Sequence, residues 1–442
     1  MTFDDLNLSK SLRSALTDLG YETPTTIQER AFSVVMSGRD MVGIAQTGTG
    51  KTLAYLLPCL RQWVFTKDKN PTILIVVPTR ELVAQVVEEV KALTMYMDVK
   101  VVGVYGGANI NTQKIVLREG LDVLVATPGR LLDLCLNGTI KLKLVKKFII
   151  DEVDEMLNLG FRPQLVRVID LLATNRQNLM FSATMTDEIA VLINDFFSTP
   201  EVVEAAPTGT PLDNIHQTGY EVVNFYTKVN LLKILLANST ELTKVLIFME
   251  SKKLADHLYE LLEVDFPEKI GVIHSNKAQN NRFNTVNSFK DGAFRILIAT
   301  DIIARGLDIA EVSHVFNFDT PEVAESYIHR IGRTGRADKK GISITFTTEK
   351  EKESRDAIET LMARKIEIIP LPEELVVSDV LIDDEKPKVN MKIIQVKLPK
   401  RDAGGGAFHE KLDKNKKVNV RVSRSDKMKL KYKKPKTRGA KK

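Results

Sequence analysis

Short runs of apolar, largely β-branched residues alternate with helix-period stretches along most of this chain. In the first half, the runs at 41–45, 72–77, 99–105, 123–126, 147–150 and 178–181 have the length and composition of buried strands. Between them, 52–66, 80–96, 129–136 and 162–172 repeat apolar positions at helical spacing. The texture breaks near 204–215, where Pro207, Gly209 and Pro211 fall close together and predict a linker. Alternation then resumes, with strands expected over 245–249, 270–274, 296–299, 312–317 and 341–345 and helices over 252–262 and 280–289. Strands alternating with helices predict an α/β fold, a mostly parallel sheet covered on both faces, once in each half. The expected division is a first domain over 1–205, a linker over 206–215, a second domain over 216–369, and a mixed, then basic segment over 370–442. From the triple glycine at 404–406 onward too few apolar residues remain to offset the entropy of ordering, so disorder is expected there.

A length of 442 residues with 43% apolar residues suits two cores. The two cysteines, Cys59 and Cys135, sit in apolar contexts and predict a reduced intracellular protein without disulfides. The histidines are scattered without zinc spacing. No apolar run reaches membrane-spanning length, and the acidic start Met1–Asp5 is unlike a signal peptide, so a cytoplasmic protein is expected. Charge is distributed unevenly: 21 of the 63 basic residues but only 4 of the 57 acidic ones lie from Lys386 to Lys442. That segment carries +17 and the remainder −11, which points to a polyanionic partner for the tail; a merely solubilising tail is the alternative.

Three strings carry candidate chemistry. Ala45, Gln46, Thr47, Gly48, Thr49, Gly50, Lys51 and Thr52 lie between a predicted strand and a predicted helix. A glycine-containing loop in that context lets backbone N–H groups converge on phosphate, with Lys51 reaching the β- and γ-phosphates and the Thr52 hydroxyl a ligand for Mg²⁺. Asp151 and Glu152 follow the apolar run 148–150, where a parallel strand would deliver them beside that loop. Asp151 is expected to organise Mg²⁺ and Glu152 to orient or deprotonate the attacking water; an acidic helix cap is the bland alternative. The string from His329 to Arg336 places Arg333 and Arg336 among glycines, as cations for a γ-phosphate. The first two strings lie in one half and the third in the other, which predicts a site assembled between two domains.

In this order the strings resemble the DEAD-box family of ATP-dependent RNA helicases, over roughly four fifths of the chain, from about Phe3 to about Arg364. The resemblance implies two tandem RecA-like domains, ATP and Mg²⁺ as cofactors, RNA as partner, and hydrolysis coupled to local unwinding or remodelling of RNA and ribonucleoprotein. The stretch from Gly20 to Gln28 resembles the family's Q motif, which implies that Gln28 reads adenine, with Tyr21 near the base. Pro78, Thr79 and Arg80, then Gly106 and Gly107, then Thr127, Pro128, Gly129 and Arg130 resemble the first-domain RNA contacts; Arg282 and Thr300 resemble second-domain ones. Ser182, Ala183 and Thr184 resemble the motif that couples hydrolysis to strand separation, with Asp154 and His329 linking the halves, and Asp308 is implied as a ribose contact. Two departures stand out: Val153 occupies the position of the alanine that names the family, and Ser275 follows His274 where glycine is frequent. A monomer is expected, with ribosomal or RNA-decay proteins as candidate partners. Two rivals stay open at this point: a DNA-directed motor on the same paired domains, and an RNA clamp or assembly scaffold whose ATP cycle gates binding.

Overall fold

Two fully parallel seven-stranded sheets organise the chain, seen in a computed structural model. The structure describes residues 2–45, 48–204, 214–238, 242–301, 312–335 and 341–386. The first sheet is built from β1 (Met41–Ile44), β2 (Ile73–Val76), β3 (Val101–Val104), β4 (Val123–Ala126), β5 (Lys147–Ile150), β6 (Gln177–Ser182) and β7 (Glu201–Glu204), in the order β3-β4-β2-β5-β6-β1-β7. The second is built from β8 (Ile215–Glu221), β9 (Val245–Met249), β10 (Ile270–Ile273), β11 (Ile296–Thr300), β12 (His314–Asn317), β13 (Gly341–Thr347) and β14 (Glu367–Ile368), in the order β10-β11-β9-β12-β13-β8-β14. The second order repeats the first strand for strand, so the halves are two copies of one topology.

Helices flank the strands. In the first half they are α1 (Lys10–Asp18), α2 (Thr26–Met36), α3 (Lys51–Arg61), α4 (Arg80–Leu93), α5 (Ile110–Arg118), α6 (Pro128–Leu136), α7 (Val153–Asn158), α8 (Arg162–Leu171) and α9 (Asp187–Phe196). In the second they are α10 (Phe225–Asn238), α11 (Lys252–Glu263), α12 (Gln279–Lys290), α13 (Ala324–Ile331) and α14 (Lys352–Met362). Alternation along a strand serves both helix layers. In β2, Ile73 and Ile75 enter one core while Leu74 and Val76 enter the other. In β9, Val245, Ile247 and Met249 face one layer, and Leu246 and Phe248 the opposite one. Among the described residues no helix is long and apolar enough to cross a membrane.

The structure differs from the sequence-based elements in three places. Helix α3 ends at Arg61, and α4 at Leu93, short of the periodic stretches that reach 66 and 96. Beyond each end the apolar side chains of Val64, Phe65, Met95 and Tyr96 are exposed, so no core holds another turn in place. Strands β7 and β8 were not expected. In β7 only Val203 is buried, and β8 buries Gln217 and Thr218 beside its apolar residues, so neither has the apolar run that marks a central strand. Ile215, at the end of the proposed linker, opens β8, while residues 205–213 lie outside the described residues. The mixed segment after 369 begins as an ordered strap against α10. Asn230 Nδ2 donates to the Val376 carbonyl at 2.8 Å, Ser378 N to Thr227 Oγ1 at 3.0 Å, and Phe225 N to Glu385 Oε1 at 2.6 Å. Leu375 and Ile382 pack onto the second core behind these bonds. The tail beyond Lys386, with the disorder expected in it, lies outside the described residues.

Candidate functional site

Parallel strands end at one edge, and the candidate residues sit where they end. The loop after β1 leads into α3. Gly48 and Gly50 have φ of +87° and +84°, backbone that only glycine adopts without strain. A Cβ at Gly50 would also collide with the Gln28 carboxamide. Gln28 Nε2 donates to the Gly50 carbonyl at 3.1 Å, Gln28 Oε1 accepts from Thr25 N at 2.9 Å, and Thr25 Oγ1 donates to the Thr49 carbonyl at 2.8 Å. Gln28 therefore braces the loop, and a base could engage only the hydrogen-bonding capacity that remains. Tyr21 is half exposed. Gln46 and Thr47 lie outside the described residues.

Lys51 opens α3 and is 7% exposed, yet its Nζ makes no hydrogen bond within the protein. A buried ammonium with its hydrogen bonds unmade is costly unless a ligand supplies the acceptors. Asp151 and Glu152 end β5, both buried. Asp151 Oδ2 accepts from the Tyr55 hydroxyl at 3.0 Å and Oδ1 from Glu152 N at 2.9 Å; burial raises its pKa against the opposing pull of Lys51. Glu152 has φ +52° and ψ +50°, a strained left-handed conformation worth roughly 1–3 kcal/mol, and its Oε2 is buried without a partner. Burial pushes its pKa up to about 7, opposed by Lys51 and, more weakly, by His329 and Arg333. Those two residues come from the other sheet's half, following or ending α13, and both are buried. The three strings thus converge, with Arg336 and Asp308 outside the described residues. The Thr52 hydroxyl and the Asp151 carboxylate are the hard oxygen donors that Mg²⁺ prefers, and the unpartnered Lys51 and Glu152 atoms beside them fit a charged nucleotide–metal pair. Among the described residues no group of three or more His, Cys, Asp or Glu could hold a metal ion by itself.

Asp154 joins the halves. Its Oδ2 accepts from Ala183 N at 3.1 Å and Thr184 Oγ1 at 3.3 Å, and lies 3.4 Å from His329 Nε2. Burial raises its pKa, but the His329 contact, Lys51 and the Ala183 N–H outweigh burial and hold the carboxyl well below the usual range. Ser182 is fully buried, and its carbonyl accepts from Ala45 N at 3.0 Å, so the same strand end touches the phosphate loop. Val153 is completely buried in the core beneath, among Ile150, Met156 and Ile189, so its two extra methyls are accommodated.

The candidate RNA residues gather at the same edge of the first sheet. Thr79 caps α4, with Leu82 N donating to its Oγ1 at 3.3 Å, and Pro78 is buried beneath it. The Arg80 guanidinium lies against Gly107, whose φ of +80° and missing side chain admit it, while Gly106 has open space on its Cα. Thr127 and Pro128 start α6, and Arg130, one residue past Gly129, donates to Gln113 Oε1 at 2.7 Å and to the Ala108 carbonyl at 3.0 Å. In the second half, Thr300 ends β11 with its Oγ1 buried and unpartnered. Arg282, expected from the sequence to contact RNA, is buried in an ion pair with Glu81 of α4, which links α12 to the first half.

Three side chains of the site escaped the sequence reading. Tyr55 is visible only as an aromatic four positions after Lys51 on one helix face. Glu81 lies within a motif that was read for its arginine. Arg330 grips Asp301 through Nε and Nη2 at 2.6 and 2.7 Å, donates to the Asp319 carbonyl at 2.7 Å and lies over the Phe248 ring at 5.2 Å. In sequence it looks like its neighbour Arg333; the structure makes it the anchor that carries the string.

A family model described as DEAD/DEAH box helicase matches residues 25–192, and one described as helicase conserved C-terminal domain matches 227–338. The DEAD-box ATP-dependent RNA helicase CshA of Geobacillus kaustophilus is 39% identical over 371 residues, covering 84% of this chain and 79% of that protein. This chain belongs to the DEAD-box helicase family. The Bacillus subtilis CshA matches equally, at 39% over 84% of this chain and 74% of its own length. Among solved structures, S. cerevisiae Dbp5 bound to RNA and ADP BeF3 superposes with a TM-score of 0.76 at 30% identity, over 84% of this chain and 95% of that one. Mss116p bound to single-stranded RNA and AMP-PNP gives 0.77 at 27% identity, over 85% and 81%. As a DEAD-box protein, this chain has the tandem RecA-like fold that its two matching sheets display.

Proposed function

We infer that this DEAD-box protein is an RNA-dependent ATPase that couples hydrolysis to local unwinding or remodelling of RNA duplexes and ribonucleoprotein. The observation that carries the residue assignment is the pairing of two buried, unpartnered atoms, Lys51 Nζ and Glu152 Oε2, with Arg333 and His329 from the opposite half. Thr52 and Asp151 would hold Mg²⁺, which when bound neutralises charge on the β- and γ-phosphate oxygens. Gly48, Thr49, Gly50 and Lys51 cradle the phosphates, with Ala45, Gln46 and Thr47 completing the loop. Glu152 orients the attacking water and takes its proton. Arg333 and Arg336 counter the charge that develops on the γ-phosphate, and they do so only when the halves are together. Asp154 senses that state, because its carboxylate is shared between His329 and the Ala183–Thr184 turn. Gln28, Tyr21 and Asp308 are assigned to base and ribose.

Thr79, Arg80, Gly106, Gly107, Thr127, Gly129 and Arg130 form the first-half RNA surface, with Thr300 facing it from the second. Backbone N–H groups and arginines at strand ends suit phosphate and sugar, so little sequence preference is expected. The rival DNA motor lacks support from the curated relatives, which carry the name RNA helicase. Clamping and unwinding use the same residues, and a short-duplex unwinding assay separates them. We place the protein in the cytoplasm as a monomer, with ribosomal or RNA-decay proteins as the partner class, supported by the two unpaired cysteines and the basic tail. The residue assignment is tested with Glu152→Gln, which is expected to bind ATP and RNA together but turn over at least about a hundredfold more slowly. Loss of ATP binding in that variant would remove Glu152 from the water-activating role.

A further inference from the structure

Tyr55 is completely buried, and its ring is fixed by a tilted contact with Phe181 of β6 at 5.2 Å between centroids. A phenylalanine would fill the same space without a polar atom to satisfy. The hydroxyl instead donates to Asp151 Oδ2 at 3.0 Å, and the Thr52 side chain lies beside it, one turn earlier on α3. A phenol has one proton, and it points to the carboxylate, so the phenol oxygen can only accept on the Thr52 side and both lone pairs of the Thr52 hydroxyl stay available to the loop mouth. The second Asp151 oxygen is held by Glu152 N at 2.9 Å. One buried oxygen therefore bonds one of the protein groups assigned to the divalent cation and lies beside the other.

We propose that Tyr55 is a positioning residue for the nucleotide-bound cation: its hydroxyl fixes the orientation of the Asp151 carboxylate relative to the neighbouring Thr52 hydroxyl. This rests on the reading that Thr52 and Asp151 hold Mg²⁺. Mg²⁺ demands near-octahedral geometry and tolerates little displacement of its ligands, so an outer partner that fixes one of them sets affinity without touching the ion. Substituting such partners costs metal affinity roughly 10- to 100-fold.

The test uses the full chain with a fluorescent ADP analogue as probe, titrated first in excess EDTA and then with increasing MgCl₂. Tyr55→Phe keeps the ring and removes a single oxygen. Its analogue affinity in EDTA is expected to match the unsubstituted protein, while the Mg²⁺ concentration at half-maximal enhancement rises roughly tenfold or more. An unchanged Mg²⁺ midpoint would overturn the proposal, including the case in which thermal unfolding shows a less stable protein, because that pattern is a packing role only. Asp151→Asn and Thr52→Ala are run alongside. If both raise the midpoint and Tyr55→Phe does not, Tyr55 alone is misassigned. If neither does, the cation assignment fails and the proposal with it.

Discussion

Glu152 shows how a residue can be kept for function against stability. It sits in left-handed backbone with a buried, unpartnered carboxylate oxygen. Its pKa is raised from 4.5 to about 7, so the folded protein retains a proton that the unfolded chain releases across that window. A raised carboxyl pKa makes folding less favourable as pH climbs from about 4.5 to about 7, by up to about 3 kcal/mol above pH 7. Glu152→Gln removes this titration. Urea unfolding without nucleotide should therefore show the variant gaining stability relative to the unsubstituted protein at pH 8 compared with pH 5. An identical difference at the two pH values would contradict the burial argument. Lys51 offers the complementary case: Lys51→Ala should abolish ATP turnover, measured as phosphate release, while leaving the fold intact. At this scale the motif residues were legible because phosphate chemistry dictates residue type and spacing. Tyr55 and Arg330 were not, since a buried partner is defined by what lies opposite it in space, and that information is absent from local spacing.

Elements with a strong period were readable, and those without one were not. Central strands such as β2 and β9 bury every residue on two faces, which leaves an unbroken apolar run. Strand β8 lies between β13 and β14 with polar residues buried along it; Tyr327 donates to Gln217 Oε1 at 3.1 Å. Its polarity hid it. The strap from 370 to 386 was hidden for another reason: it is held mainly by side-chain and backbone bonds to α10 and has no period of its own. Helix α13 is positioned by Arg330, whose removal would leave Asp301 without its bidentate partner. Arg330→Met should lower stability by about 3–5 kcal/mol in a denaturant titration and impair ATP turnover through misplacement of Arg333. Full stability in that variant would show that α13 is held by its apolar face alone.

At the level of the whole molecule, two copies of one sheet topology bring opposite charges to a common place. The buried carboxylates of Asp151, Glu152 and Asp154 belong to the first copy, and His329 and Arg333 to the second. Carboxylates held out of water repel one another, and the cations of the second copy, with Lys51 of the first, offset that cost. The paired arrangement was legible from the order of motifs along the chain, whereas the bridging ion pair between Glu81 and Arg282 required the structure. The segment after Lys386 adds an electrostatic contribution. Deleting it should weaken RNA binding and flatten its dependence on salt while leaving ATP hydrolysis without RNA unchanged. An unaltered salt slope would mean that the segment serves another partner.

The most direct test of the account is steady-state ATP hydrolysis by the full chain without nucleic acid, with single-stranded RNA, and with DNA of the same sequence. Strong stimulation by RNA and little by DNA is the predicted result, because RNA held by surfaces of both halves keeps the two charge sets together on the bound nucleotide. Equal stimulation by DNA, or none by either, would contradict the claim that RNA binding completes the site.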